Sequence, residues 1–182
     1  MTGRGQEQPN HCRPGFSQSI PRVLIHLSAL LLMSLVSCTP NEENIRRLVQ
    51  EEMSKAMERK IVSPVEVIGP YSPAVRIGGF LFISGQIAIN QKTGELSNAT
   101  IEVETRQVLN NLASILHSEG YDSSHVASAT VYLRNMEDYP KMNLVYGGYF
   151  EEGNYPARAT VGVSDLPRGA NVEIALVAYK NQ

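Results

Sequence analysis

Arg158 and Glu173 are the residues with the most chemical promise in this chain of 182. Each stands inside an apolar segment, Ala157-Arg158-Ala159 and Val172-Glu173-Ile174, and a charge set in apolar sequence has to be paired, solvated or put to use. If the two segments form a hairpin symmetric about the turn residues Ser164 to Gly169, Arg158 falls opposite Glu173. The pattern leaves two readings open. One is a cross-strand ion pair worth a few tenths of a kcal/mol to about 1 kcal/mol. The other is a small-anion site, in which the planar guanidinium grips a carboxylate through two hydrogen bonds while the glutamate orients or deprotonates a water.

The other motifs exclude more than they offer. The chain has no Gly-Lys-Ser/Thr phosphate loop, no Gly-x-Gly-x-x-Gly after a strand and no His-Glu-x-x-His helix. Ser84 lies in Phe82-Ile83-Ser84-Gly85-Gln86, which lacks the first glycine of a hydrolase nucleophile elbow. With only Cys12 and Cys38, neither a disulfide-stapled mini-protein nor a four-cysteine zinc site is available. His117 and His125, expected on a helix and just before a strand, read as surface or half-buried residues rather than a metal pair.

The elements that must position Arg158 and Glu173 are legible in the spacing of apolar residues. Val75 to Ile77 and Phe80 to Ser84 read as strands around Gly78-Gly79, whose glycines accept the positive φ of a tight turn. Between Thr100 and Glu119, Ile101, Thr105, Val108, Leu109, Leu112, Ile115 and Leu116 recur at helical spacing; Glu102 and Glu104 suit the first turn and Gly120 suits the end. Val126 to Leu133 is a strand by composition. Tyr139 to Phe150 is a second helix, weakened by Gly147-Gly148, which suggests close packing there. Ala157 to Val163 and Asn171 to Tyr179 are the final strands. The order ββαβαββ predicts an α+β domain over residues 64–182, two helices on one face of a mixed sheet, leaving the other face in need of a partner.

Residues 1–38 read as an address. A polar stretch with Arg22 at its end precedes the apolar run Val23 to Val36, too short to span a bilayer, which closes on Leu35-Val36-Ser37-Cys38. Those four residues resemble the lipobox of bacterial lipoproteins, which implies cleavage before Cys38, lipidation of its thiol, and an extracytoplasmic protein anchored to a membrane. Residues 39–63 follow as a charged spacer. Ile45, Leu48, Val49, Met53, Ala56 and Met57 give its expected helix, over 41–60, one narrow apolar stripe, ended by Ser63-Pro64. Residues 1–38 carry three arginines against one glutamate, so the remainder holds a net charge of −4. That balance argues against a nucleic-acid partner, which calls for a basic face.

Seven segments together resemble the Rid family, also called YjgF/YER057c/UK114: Ile68 to Ser72, Phe82 to Gln86, Thr93 to Glu95, Thr105 to Leu109, Val131 to Leu133, Pro156 to Arg158, and Leu166-Pro167 through Val172-Glu173-Ile174. The similarity runs in order across about residues 66 to 179 and leaves out the signal and the spacer. It implies a chorismate-mutase-like fold and a homotrimer with clefts between subunits. It also implies hydrolysis of reactive 2-enamino and 2-imino acids such as 2-aminoacrylate to 2-oxo acids and ammonia, with no metal or organic cofactor. On that resemblance Arg158 matches the carboxylate-binding arginine and Glu173 the acid that positions water. Tyr71, Ser84 and Asn143 match cleft-lining positions. Thr160 stands where the best-studied enzymes have cysteine, and Ala175 replaces a second glutamate, which bears on ligand preference. Two alternatives accompany the deaminase reading: a trimeric protein that binds a carboxylate metabolite without turnover, and an endoribonuclease.

Overall fold

The computed structural model describes residues 41–64 and 69–181; the segment read as a signal, with its apolar run and Cys38, lies outside the described residues. Helix α1 (Glu42–Ala56) begins with two acids and ends on Lys55, which suits the helix dipole, and none of its residues is buried. No helix among the described residues is long and apolar enough to cross a membrane.

The helix expected over 41–60 is shorter than its spacing suggested, because its last residues join the sheet. Strand β1 (Arg59–Val62) pairs antiparallel with β2 (Ala74–Ile77), and Val62 drops into the core. A β-branched pair beside an otherwise unpaired strand edge gains a hydrogen-bond ladder and burial that an isolated helical stripe cannot offer. Lys60 then ties the new edge to the body, its ammonium donating to both carboxylate oxygens of Glu119 at 2.8 and 3.0 Å, with Arg76 3.5 Å away on the other side.

The remaining elements are β3 (Phe80–Gln86), α2 (Ile101–Ser118), β4 (Val126–Leu133), α3 (Tyr139–Gly147), β5 (Ala157–Gly162) and β6 (Val172–Tyr179). They build one six-stranded sheet in the order β1-β2-β3-β6-β4-β5, antiparallel except for the β4–β5 pair. Helix α2 forms where predicted. Thr100 caps its start by accepting from the Val103 N–H, and Gly120, with φ near +77°, closes a two-bond cap in which Tyr121 N–H donates to Leu116 and Gly120 N–H to His117. Its inner face packs Val108, Leu112, Ile115 and Leu116 against the sheet with no exposed surface, each such burial contributing about 1.5–3 kcal/mol.

Helix α3 stops at Gly147, short of Phe150, although the Phe150 ring still packs against those of Tyr146 and Tyr149. Close packing at Gly147-Gly148 is not found. Among the described residues a side chain at Gly147 would meet nothing within 4 Å, and one at Gly148 only ordinary neighbours at 3.7–3.8 Å. The glycines end the helix instead of admitting a neighbour.

Helices α2 and α3 lie on the face lined by Leu81, Ile83, Ala129, Val131, Leu133, Ile174 and Leu176. The opposite face is open. Ile61, Val75, Phe82 and Val177 line up across four strands there, next to a second row of Ile77, Phe80 and Tyr179. Phe80 and Phe82 are each 44% exposed, and Phe80 touches both Phe82 and Tyr179 ring to ring. A contiguous apolar sheet face of this kind marks an interaction surface.

Candidate active site

The two charges singled out in the sequence do not oppose each other. Strand β5 runs parallel to β4 with Arg158 beside Ala129, whereas β6 lies on the other side of β4, antiparallel, with Glu173 beside Tyr132. The hairpin was the wrong picture because helix α3 carries the chain over the sheet to a parallel strand. The segment from 163 to 171 then returns it to a gap between β3 and β4. Ala129 and Tyr132 are three residues apart on β4, so their partners point to opposite faces of the sheet. Two strand spacings and three residues of rise put the two backbones roughly 14 Å apart.

Arg158 belongs to the helical face, and α3 holds it. Its Nη2 donates to Asn143 Oδ1 at 2.8 Å and to Tyr139 Oη at 3.1 Å. The guanidinium carbon sits 4.6 Å from the Tyr146 ring centroid and 5.8 Å from that of Tyr139. Tyr139, Asn143 and Tyr146 are spaced i, i+4, i+7, so one stripe of a short helix supplies all three contacts. Both recorded hydrogen bonds use the same nitrogen and neutral acceptors, and among the described residues no carboxylate pairs with this half-buried cation. Burial pushes the Tyr146 hydroxyl up to about 12, against the opposing charge of Arg158, so the ring stays neutral beneath the guanidinium. Thr160, two residues along β5 on the same face, has a buried hydroxyl with no hydrogen-bond partner among the described residues, as does Tyr146.

Glu173 belongs to the open face, where β3 makes room for it. The pairing of β3 with β6 shifts register between Ile83 and Gln86, a bulge whose backbone carbonyls at Ser84 and Gly85 accept from Gln86 Nε2. A Cβ at Gly85 would overlap the Glu173 carboxylate, so the absent side chain is what lets the carboxylate lie against the bulge. Burial raises the pKa of Glu173 above the ordinary carboxylate range. Ser84 sits beside it, its Oγ donating to the Ser72 carbonyl at 2.7 Å while its N–H donates to the Pro73 carbonyl. That hydroxyl therefore pins the loop bearing Tyr71, whose ring is about half exposed.

The residues read as a site thus fall into two groups within one chain: Arg158, Asn143 and Thr160 on the helical face, and Glu173, Ser84 and the Tyr71 loop at the open face. Tyr139 and Tyr146 were missed as partners of Arg158, although their spacing from Asn143 was available. Gly85 was missed as the seat of Glu173, for which the sequence holds no signal. Among the described residues no cluster of three or more His, Cys, Asp or Glu side chains is placed to hold a metal ion.

A mixed α+β sheet covered by helices on one face is the fold of the YjgF/L-PSP class. The model of the Endoribonuclease L-PSP family matches residues 61–180, from within β1 to the residue after β6, and the chain belongs to that family. A RutC family protein of Pyrococcus horikoshii is 51% identical over 113 residues, which are 62% of this chain and 89% of that protein. The 2-iminobutanoate/2-iminopropanoate deaminase of Mus musculus is 40% identical over 125 residues, 67% of this chain and 92% of the mouse protein. Among solved structures, a Rid-family protein from Yersinia pestis aligns with a TM-score of 0.65 at 38% identity, covering 68% of this chain and all of its own. Helix α1 lies outside the family match.

Proposed function

We propose that the protein hydrolyses short 2-enamino and 2-imino acids, such as 2-aminoacrylate, to 2-oxo acids and ammonia. The observation that carries this reading is Arg158: a guanidinium braced through one nitrogen by neutral groups, stacked on an aromatic ring, and without a carboxylate of its own among the described residues. Such a group suits the two-point capture of a substrate carboxylate. A deaminase relative at 40% identity adds the reaction class.

An imine carbon becomes electrophilic when its nitrogen is protonated, so the protein's tasks are to hold the carboxylate and to aim one water. Glu173, whose raised pKa brings it nearer to that of a working base, would accept a hydrogen bond or a proton from that water. No covalent nucleophile is needed. Arg158 and Glu173 face opposite sides of one sheet, and a three-carbon acid is too short to reach both within a chain. The reading therefore includes a symmetric homotrimer, in which the open face of one copy brings Glu173 to the Arg158 rim of its neighbour. The exposed Phe80, Phe82 and Tyr179 face supplies the apolar surface for it.

The test is release of 2-oxo acid from freshly generated 2-aminoacrylate, comparing the protein with Arg158→Ala. Loss of one charge-assisted contact should cut kcat/KM by about 10- to 100-fold, and unchanged release rejects the role of Arg158. Ligand binding without turnover would favour a carboxylate carrier. RNA cleavage that survives repeated purification would favour a nuclease, against the acidic balance of residues 39–182.

A further inference from the structure

Glu104 has no exposed surface, and among the described residues no cation pairs with it. Placed in the first turn of α2, it would serve the helix dipole if it faced solvent. It instead points across to the start of β6. Its Oε1 accepts from the backbone N–H of Asn171 at 2.7 Å and, more weakly, of Val172 at 3.4 Å, and its Oε2 accepts from Asn171 Nδ2 at 2.9 Å. The Asn171 carbonyl accepts from the Arg134 N–H at 3.0 Å, and from there the ladder runs Val172 against Leu133 and Glu173 against Tyr132.

We propose that Glu104 is a positioning residue for Glu173: from α2 it fixes the point at which the chain enters β6, and with it the register that seats Glu173 against Gly85. The reason lies in strand geometry. The alternation of Val172, Ile174, Leu176 and Ala178 already sets which face Glu173 takes, but a slip of two residues would keep that face and carry Glu173 off its seat at Gly85. A strand that follows a loop from Ser164 to Asn171 needs its first residue held, because nothing in the alternating pattern sets where pairing begins. Burying a carboxylate is costly unless N–H groups surround it, and here donors from the loop's last residue and the strand's first do so. Glu104 grips the chain at Asn171, two residues before Glu173, from the helical side of the sheet, which makes it a support for that side chain and not a partner of substrate.

The kinetic consequence rests on the deaminase reading, and the experiment separates the two. In Glu104→Gln one acceptor is replaced by an amide facing a donor. Displacement of the water-orienting group then lowers kcat on the order of tenfold to a hundredfold, while KM, set by Arg158 on the other face, stays within about twofold. Glu104→Gln added to Glu173→Gln should reduce kcat no further than Glu173→Gln alone. A lowered Tm with unchanged kcat, or effects of the two substitutions that multiply, overturns the proposal. A carboxyl NMR titration of Glu173 gives a readout without turnover. Its raised pKa should move in Glu104→Gln, and a value unchanged from the parent also overturns the proposal. If Glu173→Gln leaves oxo-acid release intact, the water-orienting role of Glu173 falls, whereas a parent protein that releases no oxo acid sinks the deaminase reading; in both cases the titration still decides the role of Glu104. Should Glu104→Gln fail to fold, Asn171→Ala removes only the Nδ2 contact and should shift the titration in the same direction by less.

Discussion

Glu173 shows how a single side chain can work against the stability of the fold that carries it. Burial raises its pKa, so the native state holds a proton more tightly than the unfolded chain does. Its contribution to stability is then fully present below the ordinary carboxylate range and is lost as pH rises through the raised value. At neutral pH the ionised carboxylate is a cost. Glu173→Gln is accordingly expected to raise Tm at about pH 7, to lose that advantage at about pH 4, and to lose oxo-acid release. Thermal melts at both pH values check the first part; a Tm lowered at pH 7 would contradict it. Activity that depends on the ionised form should also fall on the acid side at a pH above that of an ordinary glutamate. At this scale the sequence was informative about identity and silent about surroundings. Arg158 and Glu173 stood out because each interrupts an apolar segment. The Gly85 seat and the Glu104 anchor did not, since both depend on strands and helices distant in sequence.

At the level of elements, α3 and the β3 bulge do the positioning. Helix α3 is short, but Pro140 in its first turn and the stripe of Tyr139, Asn143 and Tyr146 make it a shelf for one guanidinium. The bulge plays the equivalent part for Glu173. Gly85→Ala should displace the carboxylate, because the added methyl and the carboxylate would occupy the same space. We expect kcat to fall on the order of a hundredfold with the far-ultraviolet circular dichroism kept; full activity in this variant would refute the packing argument. Helix α2 and strands β2 to β6 were readable from periodicity, because a buried stripe or an alternating face leaves a local trace. The β4–β5 parallel pairing was not. Two adjacent strands with turn residues between them look like a hairpin, and only the six-stranded order puts β4 between them. Strand β1 was hidden for a different reason: its four residues follow a helical stripe, and its strand character comes from β2 beside it.

For the molecule as a whole, the division of the site between the two faces of one sheet has a genetic corollary. If each working centre takes its arginine from one copy and its glutamate from the next, two individually dead proteins hold all the parts of a live one. Co-refolding Arg158→Ala with Glu173→Gln in equal amounts should restore about a quarter of the centres, the product of two even chances. Preparations refolded separately and then combined without exchange should stay silent. Recovery of that fraction would identify the catalytic unit as a boundary between neighbours, so that two gene copies with different lesions, one at each residue, would together leave partial activity instead of none.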